Sequence, residues 1–94
     1  MRTALAAISV VALTSVAWGA DPQVINPRAL FPEGPVMSGG KLVYAEYSGQ
    51  TVTVWDGAAN TVLWKQDGCG PSAVVPVGET FGVTCYDSGQ IVVI

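Results

Sequence analysis

Histidine is absent from this 94-residue sequence, and charged side chains make up only 12% of it. The four lysines and arginines form no cluster, against seven acidic residues. A surface that follows phosphate groups needs clustered basic residues, so we expect no nucleic-acid partner. Without histidine, a nucleophilic thiol lacks a base to activate it. The two cysteines fit no four-ligand zinc pattern.

The first nineteen residues have the layout of a secretory signal peptide. Arg2 gives a positive start, residues 4–16 are apolar or small, and Ala17 and Gly19 are small residues at −3 and −1. We expect cleavage after Gly19 rather than after Ala20. The apolar run is too short to span a membrane, and no later segment resembles a span. The sequence therefore predicts an exported protein, periplasmic or secreted, with no membrane contact after cleavage; an uncleaved amino-terminal anchor is the alternative.

The remaining chain predicts an all-β fold. Residues 20–33 are polar and punctuated by proline, which indicates an extended lead-in. After residue 20 no segment has a helical period, and glycine or proline interrupts every candidate helix. Short strands separated by turn residues are expected instead. Their predicted ranges are 36–37, 41–47, 50–55, 61–66, 71–77, 81–86 and 91–94.

The second half of the sequence resembles the first. Gly34-Pro35 recurs 36 positions later as Gly70-Pro71, and a Ser-Gly-Gln core at 48–50 recurs 40 positions later. The first core directly follows Tyr47, and the second follows Tyr86-Asp87. A period near 40 with four short strands per copy is typical of a β-propeller blade. Coincidence between two glycine-rich hairpins is the alternative.

The number of strands does not complete a propeller. Residues 34–66 would make the first blade and residues 71–94 three strands of the second, so 34–94 is interpreted as part of a truncated propeller. Two blades cannot close a ring, and their edge strands would be open and apolar. We expect this chain to be the beginning of a longer protein. The alternative is a short protein that self-associates through its open sheet edges.

Glu33 is the candidate functional residue. Pro32 and Pro35 stiffen the backbone around it, and Gly34 leaves room for another group to approach the main chain. A carboxylate held rigidly ahead of a β fold is a candidate metal ligand. A solvated loop glutamate is the alternative.

The two cysteines are candidates for a disulfide. Cys69 precedes one predicted strand and Cys85 ends its neighbour, so both lie at the same end of a hairpin. Disulfides persist in exported proteins, and this one would close a loop of about fifteen residues, which stabilises by about 3 kcal/mol in the chain-entropy model. Two free thiols are the alternative.

Several motifs in this order resemble the senescence-marker-protein / gluconolactonase / luciferin-regenerating-enzyme (regucalcin-like) family. They lie at 33–36, 40–44, 54–57, 70–73 and 83–86. The resemblance implies a six-bladed β-propeller with a divalent metal on its axis, in which Glu33 is a ligand. It places the other ligands, an asparagine and an aspartate, beyond residue 94. The sequence departs from the family at Met37, where tryptophan is common, and at Glu46, where an aspartate is frequent.

The resemblance also implies a function. Many members hydrolyse sugar lactones, so the expectation is the amino-terminal part of an exported, metal-dependent lactonase-type hydrolase that is inactive alone. Ca²⁺ is the expected metal, with Zn²⁺ and Mg²⁺ as alternatives, and a sugar lactone is the expected substrate. No catalytic residue is assigned. The alternative function is a non-catalytic propeller module that binds a ligand or a partner protein. The strand aromatics are interpreted first as packing between blades, and a sugar-binding surface is the alternative for them; they are Tyr44, Tyr47, Trp55, Trp64 and Tyr86.

Overall fold

A computed structural model describes residues 20–94, so the predicted signal peptide at 1–19 lies outside the described residues. The described chain is all-β, as predicted, with seven strands in two antiparallel sheets. In both sheets each strand pairs with its neighbour along the chain. Within residues 20–94 there is no helix that could cross a membrane. The strands are β1 (Pro32–Ser38), β2 (Lys41–Glu46), β3 (Thr51–Trp55) and β4 (Asn60–Lys65) in the first sheet, and β5 (Pro71–Val77), β6 (Thr80–Cys85) and β7 (Gln90–Val93) in the second.

Strand β1 begins four residues earlier than the sequence pattern indicated. Glu33 lies inside it and pairs with Ala45, and the register shifts between Glu33 and Val36. Gly34 adopts a φ of 51° in this bulge. Proline is tolerated at a strand's first residue and at bulges, because it has no N–H to donate to the ladder. Pro32 and Pro35 therefore lie within a strand rather than in a loop, and the lead-in ends at Phe31.

A small apolar core lies between the two sheets. Val43, Ala45 and Val52 of the first sheet pack with Val74 and Val83 of the second. Strand β5 packs against β1 and β2 although β4 precedes it in the chain. The chain therefore returns from the outer edge of one sheet to begin the next sheet beside its inner strand.

The two sheets repeat with a period of 39 residues. Pro32 pairs with Glu46, and Pro71 and Cys85, each 39 positions later, pair in the same way. Backbone conformation follows the same offset: φ is 63° at Phe31 and 61° at Gly70. The Gly34-Pro35 match to Gly70-Pro71 is therefore not a structural equivalence. The equivalent of Phe31-Pro32-Glu33 is Gly70-Pro71-Ser72.

The repeat also relates the faces of the two sheets. In the first sheet Val36, Val43, Ala45, Val52 and Val54 belong to the core or pack against it. Their equivalents in the second sheet lie on its outer face, where side chains are 55–78% exposed at the three bulkiest positions. The first sheet uses these positions to pack on the second sheet. In the second sheet the equivalent positions face outward. These equivalents are Val75, Gly82, Thr84, Ile91 and Val93.

The lead-in is hydrogen-bonded to the outer face of the first sheet. The Leu30 N–H donates to Oε1 of Glu46 at 2.9 Å. Asn26 Nδ2 donates to the Tyr44 hydroxyl at 2.8 Å, and that hydroxyl donates to Oδ1 of Asn60 at 2.7 Å. The lead-in therefore covers polar groups of the first sheet that would otherwise face solvent.

Cys69 and Cys85 form a disulfide, as predicted. Their α-carbons are 4.6 Å apart, within the range that a disulfide spans, and both side chains are buried. The bond fixes the segment that enters β5 to the end of β6. Disulfides of this kind are typical of proteins outside the reducing cytosol.

Candidate functional site

A depression of about 450 Å³ opens where the two sheets meet. Glu33 and Ser72 line it from equivalent positions of β1 and β5, and Tyr47 and Tyr86 line it from equivalent turns. Phe31 completes the lining. Equivalent positions of the two repeats therefore line the same depression. The sequence pattern singled out Glu33 but missed Ser72 as its counterpart, because the 36-residue match aligned Glu33 with Cys69.

Glu33 is half-buried at this depression. It also borders a second hollow of about 380 Å³ beneath the lead-in, beside Ile25, Pro35 and Tyr44. In the described residues the one ion pair joins Lys65 to Asp67, and Glu33 takes no part in it. Glu33 thus borders both spaces and is in neither case part of an ion pair.

A metal site built from residues 20–94 alone would be incomplete. In that part of the chain no group of three or more acidic, cysteine or histidine side chains is close enough together to hold an ion. Ca²⁺ takes six to eight oxygen ligands. The Glu33 carboxylate fits the type of ligand that a hard cation prefers, but it supplies only part of the shell. Further oxygen ligands would have to come from other sheets or from water.

Ser72 is held as a structural hydroxyl. Its Oγ lies 2.9 Å from Oγ1 of Thr84 and 3.4 Å from the Thr84 carbonyl oxygen, to which it donates. No histidine is available to activate it. The Ser72 hydroxyl is therefore engaged by Thr84 and is not placed as a nucleophile.

A side-chain hydrogen bond joins the two sheets at the rim of the depression. The Tyr47 hydroxyl donates to Oδ1 of Asp87. This bond, with smaller contributions from burial and from the charge of Asp87, raises the pKa of Tyr47 above its usual value of 10.0. Gly70 permits the contact, since a Cβ there would lie 2.7 Å from the Asp87 carboxylate and 3.0 Å from the Tyr47 ring.

The two inner strands approach closely at Gly34. A Cβ at this position would lie 2.6 Å from the Cα of Ala73 and 2.8 Å from the Ser72 carbonyl oxygen. The expectation that another group approaches the Gly34 main chain is correct. The approaching group is the backbone of β5, so Gly34 sets the distance between the strands that carry Glu33 and Ser72.

Glu46 has a structural role away from the depression. It is 8% exposed and accepts hydrogen bonds from Thr53, from the Leu30 N–H and from Thr51. Burial alone would raise its pKa, but the three hydrogen bonds outweigh burial and lower the pKa below its ordinary 4.5. Its partners indicate a carboxylate that anchors the lead-in.

Comparisons of the chain with protein-family models, curated proteins and solved structures give no match.

Proposed function

We propose that this chain forms two sheets of a six-bladed, regucalcin-like β-propeller, and that Glu33 is one ligand of a divalent metal on the propeller axis. The proposal includes an exported protein and a lactonase-type activity that opens a sugar lactone. It rests first on the motifs that resemble this family. The all-β fold, the 39-residue repeat and the disulfide are compatible with it.

The observation that carries the proposal is the shared depression. In a propeller the inner strands of all blades surround one axis, so equivalent positions converge on a common space. Glu33 and Ser72 are equivalent, belong to the inner strands β1 and β5, and line the same depression. An axial metal would collect one ligand from each of several blades by this geometry.

Further sheets of the same repeat would complete the ring. The outward positions Val75, Ile91 and Val93 are the counterparts of Val36, Val52 and Val54, which pack on the second sheet. A third sheet could therefore pack on the second as the second packs on the first. The proposed occupant of this exposed face is a sheet of the same repeat.

The metal and the protein would have different roles in the proposed reaction. A bound divalent ion would polarise the lactone carbonyl and lower the pKa of an attacking water. Glu33 would hold that ion in the depression that three aromatic side chains also line. Residues 20–94 supply no assigned general base, so we expect metal binding without turnover from these two sheets alone.

The alternative is a propeller that binds a ligand without catalysis. The three aromatic side chains that line the depression favour it. Fold does not separate these functions, because activity depends on the site. Metal-stimulated lactone opening by a protein that carries all the sheets would support the hydrolase, and metal binding with no turnover would support the binding module.

Calorimetric titration with Ca²⁺ tests the role of Glu33. For two sheets that supply one carboxylate we expect weak binding, with a Kd of about 10⁻³ M. Glu33→Gln should remove this binding. Glu79→Gln is the matched control, because Glu79 is an exposed glutamate in the β5–β6 turn. Equal affinity in the wild type and in Glu33→Gln would contradict the proposal.

A further inference from the structure

Three aromatic side chains meet at the depression between the two sheets. The ring centroids of Phe31 and Tyr47 are 5.7 Å apart with an interplanar angle of 57°. Those of Tyr47 and Tyr86 are 6.2 Å apart with an angle of 66°. Because neither pair is stacked face to face, the rings do not cover one another's faces. These three residues, which all line the depression, form the aromatic cluster.

The aromatic cluster is not explained by packing or by the backbone. Phe31 is 60% exposed and Tyr86 is 75% exposed. Phe31 also has a φ of 63°, a left-handed conformation in which a bulky residue is strained. The equivalent Gly70 adopts a φ of 61° without a side chain, so the turn does not need the phenyl group. Strain at an exposed aromatic residue is typical of functional sites.

The charges at the depression are negative. The Glu33 side chain lines it, and the Asp87 carboxylate accepts the hydrogen bond of the Tyr47 hydroxyl. Among the residues of 20–94 that line the depression, none is lysine or arginine. The face of an aromatic ring also carries negative potential. Rings and carboxylates therefore both favour a cationic ligand and disfavour an anionic one.

Two of the hydroxyl groups at the depression are already engaged. The Tyr47 hydroxyl donates to Asp87, and the Ser72 hydroxyl is hydrogen-bonded to Thr84. A primary ammonium group has three N–H donors to satisfy and would find few acceptors here. A quaternary ammonium group has no N–H, and aromatic faces attract it directly. The depression, of about 450 Å³, is large enough for such a group.

We infer that the aromatic cluster and the Glu33 carboxylate bind a quaternary ammonium group. The rings contribute cation–π attraction, and Glu33 contributes the compensating charge. The inference goes beyond the proposed function, because it needs neither a metal nor the opening of a lactone. Choline, phosphocholine and the side chain of trimethyllysine all carry this group.

An NMR titration of the full chain in EDTA compares choline with its neutral isostere, the alcohol in which a carbon atom replaces the nitrogen. We expect choline to cause saturable shifts of the ring signals of Phe31, Tyr47 and Tyr86, and the alcohol to cause none. Phosphocholine and a peptide with trimethyllysine are further probes, and their affinities relative to choline identify the source of the group.

Variants at Tyr86 test the role of the rings. Tyr86→Leu should weaken choline binding by about two- to fivefold, because it removes one exposed aromatic face. Tyr86→Phe is the matched control, because it keeps the ring and should keep the affinity. Both variants should melt at the wild-type temperature, since Tyr86 is exposed. Glu33→Gln should also weaken choline binding.

The outcomes separate this inference from the metal site. Equal binding of choline and the alcohol would overturn the inference, and so would equal choline affinity in Tyr86→Leu and Tyr86→Phe. Ca²⁺ binding at Glu33 without choline binding would overturn it and leave the proposed function standing. Choline binding without Ca²⁺ binding would support the inference and remove the metal from the proposed function.

Discussion

Glu46 and Cys85 occupy the same position in successive sheets, at the last residue of the second strand. Each ties that strand end to the segment that enters its own sheet. The Glu46 carboxylate accepts a hydrogen bond from the Leu30 N–H, and Cys85 is bonded to Cys69, the equivalent of Leu30. In both repeats the start of the sheet is fixed to its second strand. The first repeat does this with a hydrogen bond and the second with a disulfide.

Reduction of the disulfide should destabilise the second sheet. The bond closes a segment with a sequence separation of 16, and the chain-entropy model gives about 3 kcal/mol for a loop of this size. Denaturant unfolding with and without reductant measures the loss. The double variant Cys69→Ala/Cys85→Ala should have the lower stability and no response to reductant. Equal stability of the oxidised and reduced wild-type protein would contradict this role.

Acid should release the lead-in through Glu46. Its pKa is lowered in the folded protein, so its contribution to stability is complete above the unfolded pKa near 4.5 and is lost as pH falls through the lower folded pKa. Glu46→Gln should flatten the pH dependence of the unfolding free energy in that range. Glu46→Ala should cost about 1–3 kcal/mol at neutral pH, because it leaves buried hydrogen-bond donors without an acceptor. A glutamine variant with the wild-type acid profile would exclude this mechanism.

The Tyr47–Asp87 bond predicts a change at alkaline pH. Because the pKa of Tyr47 is raised, the stabilisation is present below pH 10 and is lost as pH rises through the raised value. Asp87→Asn should return the Tyr47 pKa toward 10.0, which an ultraviolet titration of tyrosinate absorbance measures. Tyr47→Phe identifies the transition that belongs to Tyr47. If Asp87→Asn left every tyrosine transition in place, the bond would have no role in solution.

Alanine substitutions at Gly34 and Gly39 distinguish the effect of close packing from that of backbone strain. Both have positive φ, 51° and 57°, but a Cβ at Gly39 meets nothing within 4 Å, whereas one at Gly34 meets the backbone of β5. Gly39→Ala should therefore cost about 1–2 kcal/mol through strain alone. Gly34→Ala should cost about 1–3 kcal/mol more, because the sheets must separate. Chemical denaturation compares the two variants, and equal losses would show that the inner strands are not in close contact.

Local patterns in the sequence predicted most of the fold. Alternating apolar residues with glycine turns between them indicated seven strands in groups of four and three, and the positions of Cys69 and Cys85 in one hairpin indicated their pairing. Both features depend on residues that are near each other in the sequence.

The register of the repeat was not readable from matching residue types. The structural offset of 39 matches scattered residues, such as Pro32 with Pro71 and Tyr47 with Tyr86, but no two identical neighbours in a row. The identical Gly-Pro pairs at 34 and 70 suggested another offset. The equivalence of Glu33 and Ser72 depends on the register, and the burial of Glu46 depends on the lead-in folding back. Neither could be derived without the pairing of the strands.

The most direct measurement for the central claim is paramagnetic broadening of amide NMR signals by Mn²⁺, which prefers the same oxygen ligands as Ca²⁺. If Glu33 presents a metal to the space shared by the two sheets, Mn²⁺ should broaden the signals of Phe31, Tyr47, Ser72 and Tyr86 together. Glu33→Gln should remove this effect, and Glu79→Gln should retain it. Broadening that lies elsewhere on the protein, or that persists in Glu33→Gln, would contradict the account.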